Sequence, residues 1–310
     1  MSHTKGASVR RGKKRVHPFV LVLAVALAVV ALAGVVVYSL GYRYISVDGM
    51  KFSGRVKNGQ PVSGTVKYPD GLTGELTKEI DSPNGKIVYS TGDVYEGELK
   101  GVARHGKGTI TYKEDGAVYT GDFSEDQLTG EGTYSNPEGI SYTGSVVDGK
   151  PNGRGKYVFA DGSFYYGDWV DGKRNGTGEE HYADGSYYYG AFTDDRRNGQ
   201  SDVTVTLENG MVYTGKNKYV YASGDTYVGD YLNGKRNGNG TYTWVSGQSY
   251  TGEFAGDTME GNGTYDFGGG KAPYTGVFAG GQIAESGAQD VNAPQASSPL
   301  NADATGTQPQ

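Results

Sequence analysis

From Phe19 to Leu40 the chain reads FVLVLAVALAVVALAGVVVYSL, 22 residues without a charge. A helix of that length spans about 33 Å, which matches a bilayer core of ~30 Å. Beyond it the pattern changes. Apolar and polar residues alternate in short runs, with Asp-Gly and Asn-Gly pairs recurring between them. Alternation with period two predicts half-buried strands, and the dipeptides predict tight hairpin turns. The stretch YYGDWVDGKRNGTGEEHYADGSY (165–187) shows one unit: a strand over 165–170, a turn at Asp171-Gly172, a second strand over about 176–183, and a turn at Asp184-Gly185. Tyr165, Gly167 and Trp169 then share one face, as do Tyr227, Gly229 and Tyr231.

The motif Tyr-x-Gly begins at 95, 119, 142, 165, 188, 213, 227, 250 and 274, so most steps are 23 to 25 residues and one is 14. A fixed period in this range marks a repeat architecture. The short step reads as a truncated copy at Tyr213, and weaker copies start at Phe52 and Leu72. Within each strand a Gly beside aromatics on one face lets a neighbouring ring lie over bare backbone. Gly97, Gly121, Gly144, Gly167, Gly190, Gly229, Gly252 and Gly276 are the glycines assigned this structural role.

These residues resemble the MORN repeat (membrane occupation and recognition nexus). The copies YTGSVVDGKPNGRGKYVFADGS, YYGDWVDGKRNGTGEEHYADGS and YVGDYLNGKRNGNGTYTWVSGQ carry the likeness. The resemblance implies an all-β, elongated, single-layer antiparallel meander of about ten 23-residue hairpins, preceded here by one transmembrane helix. It also implies a scaffold or membrane-proximal binding module. The expected organisation is a basic cytoplasmic tail (1–18), the membrane helix (19–40), a linker (41–51), degenerate repeats (52–94), MORN-type repeats (95–282) and a disordered tail (283–310).

Composition supports the β reading. Glycine fills 53 of 310 positions, and each interior Gly costs a helix roughly 1 kcal/mol relative to Ala. Cysteine is absent, which removes disulfides and thiolate chemistry. All six Lys and Arg of the first 40 residues precede the apolar span, which places the N-terminus in the cytoplasm and the repeats outside. The alternative is a signal peptide cleaved between Ala33 and Gly34. The rest of the chain carries 23 basic against 35 acidic groups, an unfavourable balance for binding nucleic acid.

No catalytic constellation, metal site or cofactor site stands out. The Gly-x-Gly pairs precede β-rich sequence rather than a helix, so they lack the context of a phosphate loop. His105 and His181 have no second ligand nearby. The expectation is therefore a non-enzymatic, membrane-anchored scaffold that binds a protein or glycan at the cell envelope. The alternative is a cell-wall carbohydrate-binding module, secreted or anchored, that uses exposed aromatics. The residues assigned to partner binding are Tyr165, Trp169, Tyr188, Phe192, Tyr227 and Tyr231, because Tyr and Trp dominate interface energies. The same rings could instead be consumed as core. The acidic positions Asp122, Asp168, Asp230 and Glu253 on the opposite face are expected to be solvated.

Overall fold

The computed structural model describes residues 18–47, 49–79 and 82–284. The basic tail up to residue 17 and the tail from residue 285 lie outside the described residues. Contacts divide the chain into two units, Met1–Ser90 and Thr91–Gln310.

The first unit holds helix α1 (Pro18–Ser39), followed by β1 (Tyr42–Val47), β2 (Met50–Lys57), β3 (Gln60–Lys67), β4 (Thr73–Lys78) and β5 (Asn84–Tyr89). Side chains of α1 are described at Leu27 and from Val29 onward, and all of these are exposed. Among the described residues no helix is long and apolar enough to cross a membrane. The segment expected as a linker forms β1, which pairs with β2 from Tyr42↔Arg55 to Val47↔Met50. Consecutive strands β1 to β5 then pair antiparallel. One face is sealed by Phe52, Val66, Leu76 and Ile87, each 1% exposed or less.

The second unit begins with five hairpins: β6 (Val94–Lys100) with β7 (Ala103–Thr111), β8 (Val118–Ser124) with β9 (Gln127–Ser135), β10 (Ser141–Val147) with β11 (Lys150–Val158), β12 (Phe164–Val170) with β13 (Lys173–His181), and β14 (Tyr187–Thr193) with β15 (Arg196–Arg197). Then follow β16 (Val203–Thr206), β17 (Val212–Gly215), β18 (Lys218–Val220), β19 (Thr226–Leu232), β20 (Lys235–Thr243), β21 (Ser249–Ala255), β22 (Thr258–Asp266), β23 (Tyr274–Ala279) and β24 (Gln282–Ile283). The last strand falls at the start of the segment expected to be a disordered tail. Each second strand also pairs with the next first strand, as β11 does with β12 and β13 with β14, so the unit is an antiparallel meander.

Two turn types alternate. Within hairpins, Asp148-Gly149, Asp171-Gly172 and Asn233-Gly234 have positive φ at both residues, the type I′ requirement. Between hairpins only the glycine does, as at Gly162 and Gly185, and the preceding Asp side chain accepts the N–H two residues on (Ser163 and Ser186). The Asp-Gly pairs at 70, 115, 161 and 184, and Asn209-Gly210, are therefore not I′ turns. They are Asx-stabilised turns with a single left-handed residue.

The step of 14 residues has a different origin from a truncated copy. Tyr188 pairs with Tyr219, in the place where Tyr165 pairs with Glu180. Strand β15 stops after Arg197, β18 resumes its position, and β16–β17 is a separate hairpin inserted between them. Val205 and Leu207 of the insertion are buried. Arg154 Nη2 donates to the Thr206 carbonyl, and Lys156 Nζ lies 2.6 Å from Glu208 Oε1. The single layer thus acquires a local second layer here.

Candidate protein-interaction face

Pairing places glycine opposite glycine on strand after strand: Gly97↔Gly108, Gly108↔Gly121, Gly121↔Gly132, and onward to Gly178↔Gly190. The row resumes from Gly229↔Gly240 to Gly263↔Gly276. A Cβ at Gly167 would lie 2.6 Å from the Gly178 Cα, so no other residue fits without moving backbone. The covering ring comes from the first strand of each hairpin and lies over both its own glycine and the glycine opposite, so a Cβ at Gly178 would meet the Tyr165 ring at 2.5 Å. At all eight assigned glycines the added Cβ would meet the hydroxyl of the tyrosine two residues earlier. That hydroxyl donates to the carbonyl three residues after the tyrosine: Tyr165 to Asp168 (3.0 Å), Tyr227 to Asp230 (3.0 Å), Tyr142 to Ser145 (2.7 Å).

The six aromatics assigned to partner binding are buried, in line with the alternative that they are consumed as core. Tyr165, Tyr188 and Tyr227 are 0% exposed, Phe192 and Tyr231 2%, and Trp169 6%. They pack edge-on, with centroids 5.1 Å apart for Tyr165–Trp169, 5.0 Å for Tyr165–Phe192 and 5.4 Å for Tyr188–Tyr231. The Trp169 indole donates to the Gly155 carbonyl. Burial raises the phenol pKa at Tyr165, Tyr188, Tyr227 and Tyr231 far above its usual value. These rings are the packing of the face.

A second set of rings is only half-buried. It comes from second strands and the turns after them, in unbroken contact: Tyr182–Tyr219 (6.0 Å), Tyr219–Tyr221 (4.5 Å), Tyr221–Tyr242 (5.5 Å), Tyr242–Trp244 (4.7 Å), Trp244–Tyr265 (5.4 Å) and Tyr265–Phe267 (4.9 Å). Tyr242 is buried within this ladder, and the other rings keep an open face. Sequence reasoning did not single out Tyr242 and Trp244. Their signal was their place beyond the paired glycines, where no further residue covers them.

Charged groups punctuate the same face. Glu180 stands where other copies place an aromatic, as at Tyr157 and Tyr242. It is 4% exposed and is paired with the buried Arg174 and the Tyr182 hydroxyl. On the opposite face the acids expected to be solvated staple the strand irregularities. Asp122, Asp168, Asp230 and Glu253 each accept the backbone N–H nine residues on, at 2.8–3.1 Å. The Lys107 ammonium, bonded to Asp122, holds that carboxyl below its usual pKa. Also on this side, His181 stacks on Phe164 and meets Glu179 Oε2 at 2.9 Å. Among the described residues no group of three His, Cys, Asp or Glu is placed to hold a metal ion.

The family model for the MORN repeat matches residues 95–116, 119–141, 142–164, 165–187, 227–249 and 250–271. The chain contains six MORN repeats. The stretch between the fourth and fifth MORN repeats contains the inserted hairpin. No curated protein matches the chain. Among solved structures, the TCP domain of Drosophila melanogaster SAS-4 (dCPAP), in complex with a proline-rich motif of Ana2 (dSTIL), is 21% identical. That alignment covers 56% of this chain and 88% of that one, with a TM-score of 0.29. The G-box domain of the microcephaly protein CPAP is 13% identical over 70% of this chain and 99% of that one, also at 0.29. The wild-type TCP10 domain of Danio rerio CPAP is 14% identical over 65% and 86%, at 0.21. Scores this low identify no shared function.

Proposed function

We propose that this chain is a non-enzymatic MORN-repeat scaffold that holds a protein partner on the half-buried ladder running from Tyr182 to Phe267. The observation that carries this reading is the contrast between two ring rows on one face. One row is sealed as core. The other is continuous, built of tilted ring contacts, and open on one side. Aromatic rings with fixed neighbours offer large contact area at little entropic cost, the property that makes Tyr and Trp interface anchors. Trp244→Ala removes the largest open ring of the ladder. The variant is expected to stay folded by circular dichroism and to lose at least about tenfold in partner capture, the loss typical of an anchor residue. Capture at parental strength by a folded variant overturns the reading. Retention on insoluble wall material rather than on protein would favour the carbohydrate alternative.

Anchoring to a membrane is part of the same proposal. Its support is the uncharged 19–40 span, all but its last residue in α1, the six basic residues before it, and the exposed apolar side chains from Val29 to Val37. Protease added to intact cells is expected to digest the repeats. Repeats that stay protected until the membrane is broken would overturn this topology.

A further inference from the structure

In seven hairpins of the second unit, one residue of the second strand faces an aromatic or aliphatic residue near the end of the first strand. That position holds Arg104, Leu128, Pro151, Arg174, Arg197, Arg236 and Met259 in turn. Its carbonyl accepts an N–H from the turn of the following hairpin, at Asp126, Gly149, Gly172, Asp195, Gly234, Asp257 and Gly281 respectively. The two series match. Leu128, Pro151 and Met259 meet a glycine, whereas Arg104, Arg174 and Arg236 meet an aspartate.

Each of those three aspartates clamps its arginine. Asp195 Oδ1 accepts the Arg174 backbone N–H at 2.9 Å and Nε at 3.4 Å, and the Asp195 carbonyl accepts Nη2 at 2.8 Å. Asp257 holds Arg236 in the same way at 2.8, 3.4 and 2.6 Å. Asp126 holds Arg104 through the same atoms.

Arg197 breaks the rule, because its turn partner is Gly234. Among the described residues its side chain makes no hydrogen bond and has no carboxylate at ion-pair distance. Glu180, the acid in its neighbourhood, is already taken by Arg174 and Tyr182. The Arg197 guanidinium instead lies among three rings, 4.9 Å from Tyr219, 5.5 Å from Tyr188 and 5.7 Å from Tyr231. Arg197 is half-buried, and none of its side-chain nitrogens is sealed from solvent without a partner. Tyr219 belongs to the ladder, so the open donors lie beside it.

We propose that Arg197 and its tyrosine walls form a receptor for a carboxylate of the bound protein. This rests on the reading of the ladder as a protein-binding face. The three clamped copies identify the chemistry, since the group missing at Arg197 is the carboxylate that fills the same place beside Arg104, Arg174 and Arg236. A guanidinium confined among three rings has less freedom to lose, so its fork can engage a carboxylate in bidentate fashion with little ordering cost. Either an Asp or Glu side chain or a chain terminus could supply the group.

The test is to complete the missing clamp. Gly234 has φ +85° and open space around a Cβ, and Asp195 and Asp257 occupy the equivalent position at φ 67° and 77°. Gly234→Asp is therefore expected to melt at least as high as the parent. Thermal melting of the whole chain in detergent is compared in N-acetylglutamic acid α-amide, in N-acetylalanine and in sodium chloride at equal ionic strength. At 100 mM, one or both carboxylates should raise the parental melting temperature by about 2 °C over chloride, the shift expected of weak ligand binding. A response to the first probe alone identifies a side-chain carboxylate, and to the second alone a chain terminus. Gly234→Asp should abolish the response, and Arg197→Met should do the same. Should Arg197→Met not fold, Gly234→Asp decides alone. No carboxylate response in the parent, or an undiminished one in Gly234→Asp, overturns the proposal. Loss of partner capture in Trp244→Ala leaves the carboxylate response untouched, so the two readings fail separately.

Discussion

The two units bury a sheet face by different chemistry. In the first, Phe52, Val66, Leu76 and Ile87 seal β2 to β5 with ordinary apolar side chains, and among the described residues glycine faces glycine only at Gly54↔Gly64. In the second, nearly every strand gives up a side chain at the centre, and the first-strand tyrosine of each pair lies over its own glycine and the one opposite to fill the gap. The aliphatic solution depends on side chains meeting across strands. The tyrosine solution closes over a pair of facing glycines within one hairpin and adds a hydrogen bond, so it can be repeated hairpin by hairpin. It also leaves rings further along the strand only partly covered, which is where the ladder arises.

The contrast is sharpest in alkali. Unfolded tyrosines ionise near pH 10, whereas Tyr119 and Tyr250 are pushed up to about 12 by burial and the fully buried Tyr165, Tyr188 and Tyr227 are pushed further. A raised folded pKa means stability that is intact below pH 10 and lost as pH climbs through the folded values. Hydrogen exchange between pH 9 and 12 should show the second unit opening before the aliphatic face of the first. Simultaneous opening would remove the distinction. Next in size are core changes. Leu76→Ala should cost about 3 kcal/mol by cavity formation, and Gly167→Val or Gly229→Val a similar amount by overpacking, measured by urea denaturation. Unchanged midpoints for the glycine variants would show that the rings do not close over them. The smallest effects concern single hydrogen bonds. Tyr165→Phe and Asp168→Ala should each cost about 1 kcal/mol. A neutral Tyr165→Phe would make the ring, and not its hydroxyl, the element that matters.

Much of this was legible before any coordinates. The recurrence of Tyr-x-Gly marks each first strand, and the Asn-Gly and Asp-Gly pairs mark the turns. Two readings went astray for physical reasons. Tyr213-Thr-Gly215 satisfies the local motif and was read as a short copy, but its strand pairs within an insertion. Nothing in a local window says that Tyr188 will pair with Tyr219. Likewise, alternation puts Tyr165, Trp169 and Phe192 on one face without saying which rings on that face are covered. Whether a ring is sealed depends on the strands to either side, and on Tyr165 meeting Phe192 from the next copy. The arginine–aspartate clamps escaped notice because each joins residues 21 or 22 positions apart, across two copies of the motif.

The row of paired glycines has a consequence for how such a protein can change over generations. A strand whose centre is glycine presents much the same edge to either neighbour, so at that centre one hairpin need not be tailored to the next, although the arginine–aspartate clamps still match particular copies. Excising or duplicating a whole 23-residue stretch, such as 142–164, joins one glycine edge to another of the same form. Length then becomes a heritable dial, adjustable by unequal recombination in whole notches. A sheet sealed by interlocking aliphatic side chains has no such freedom, because every added strand would demand a new fit.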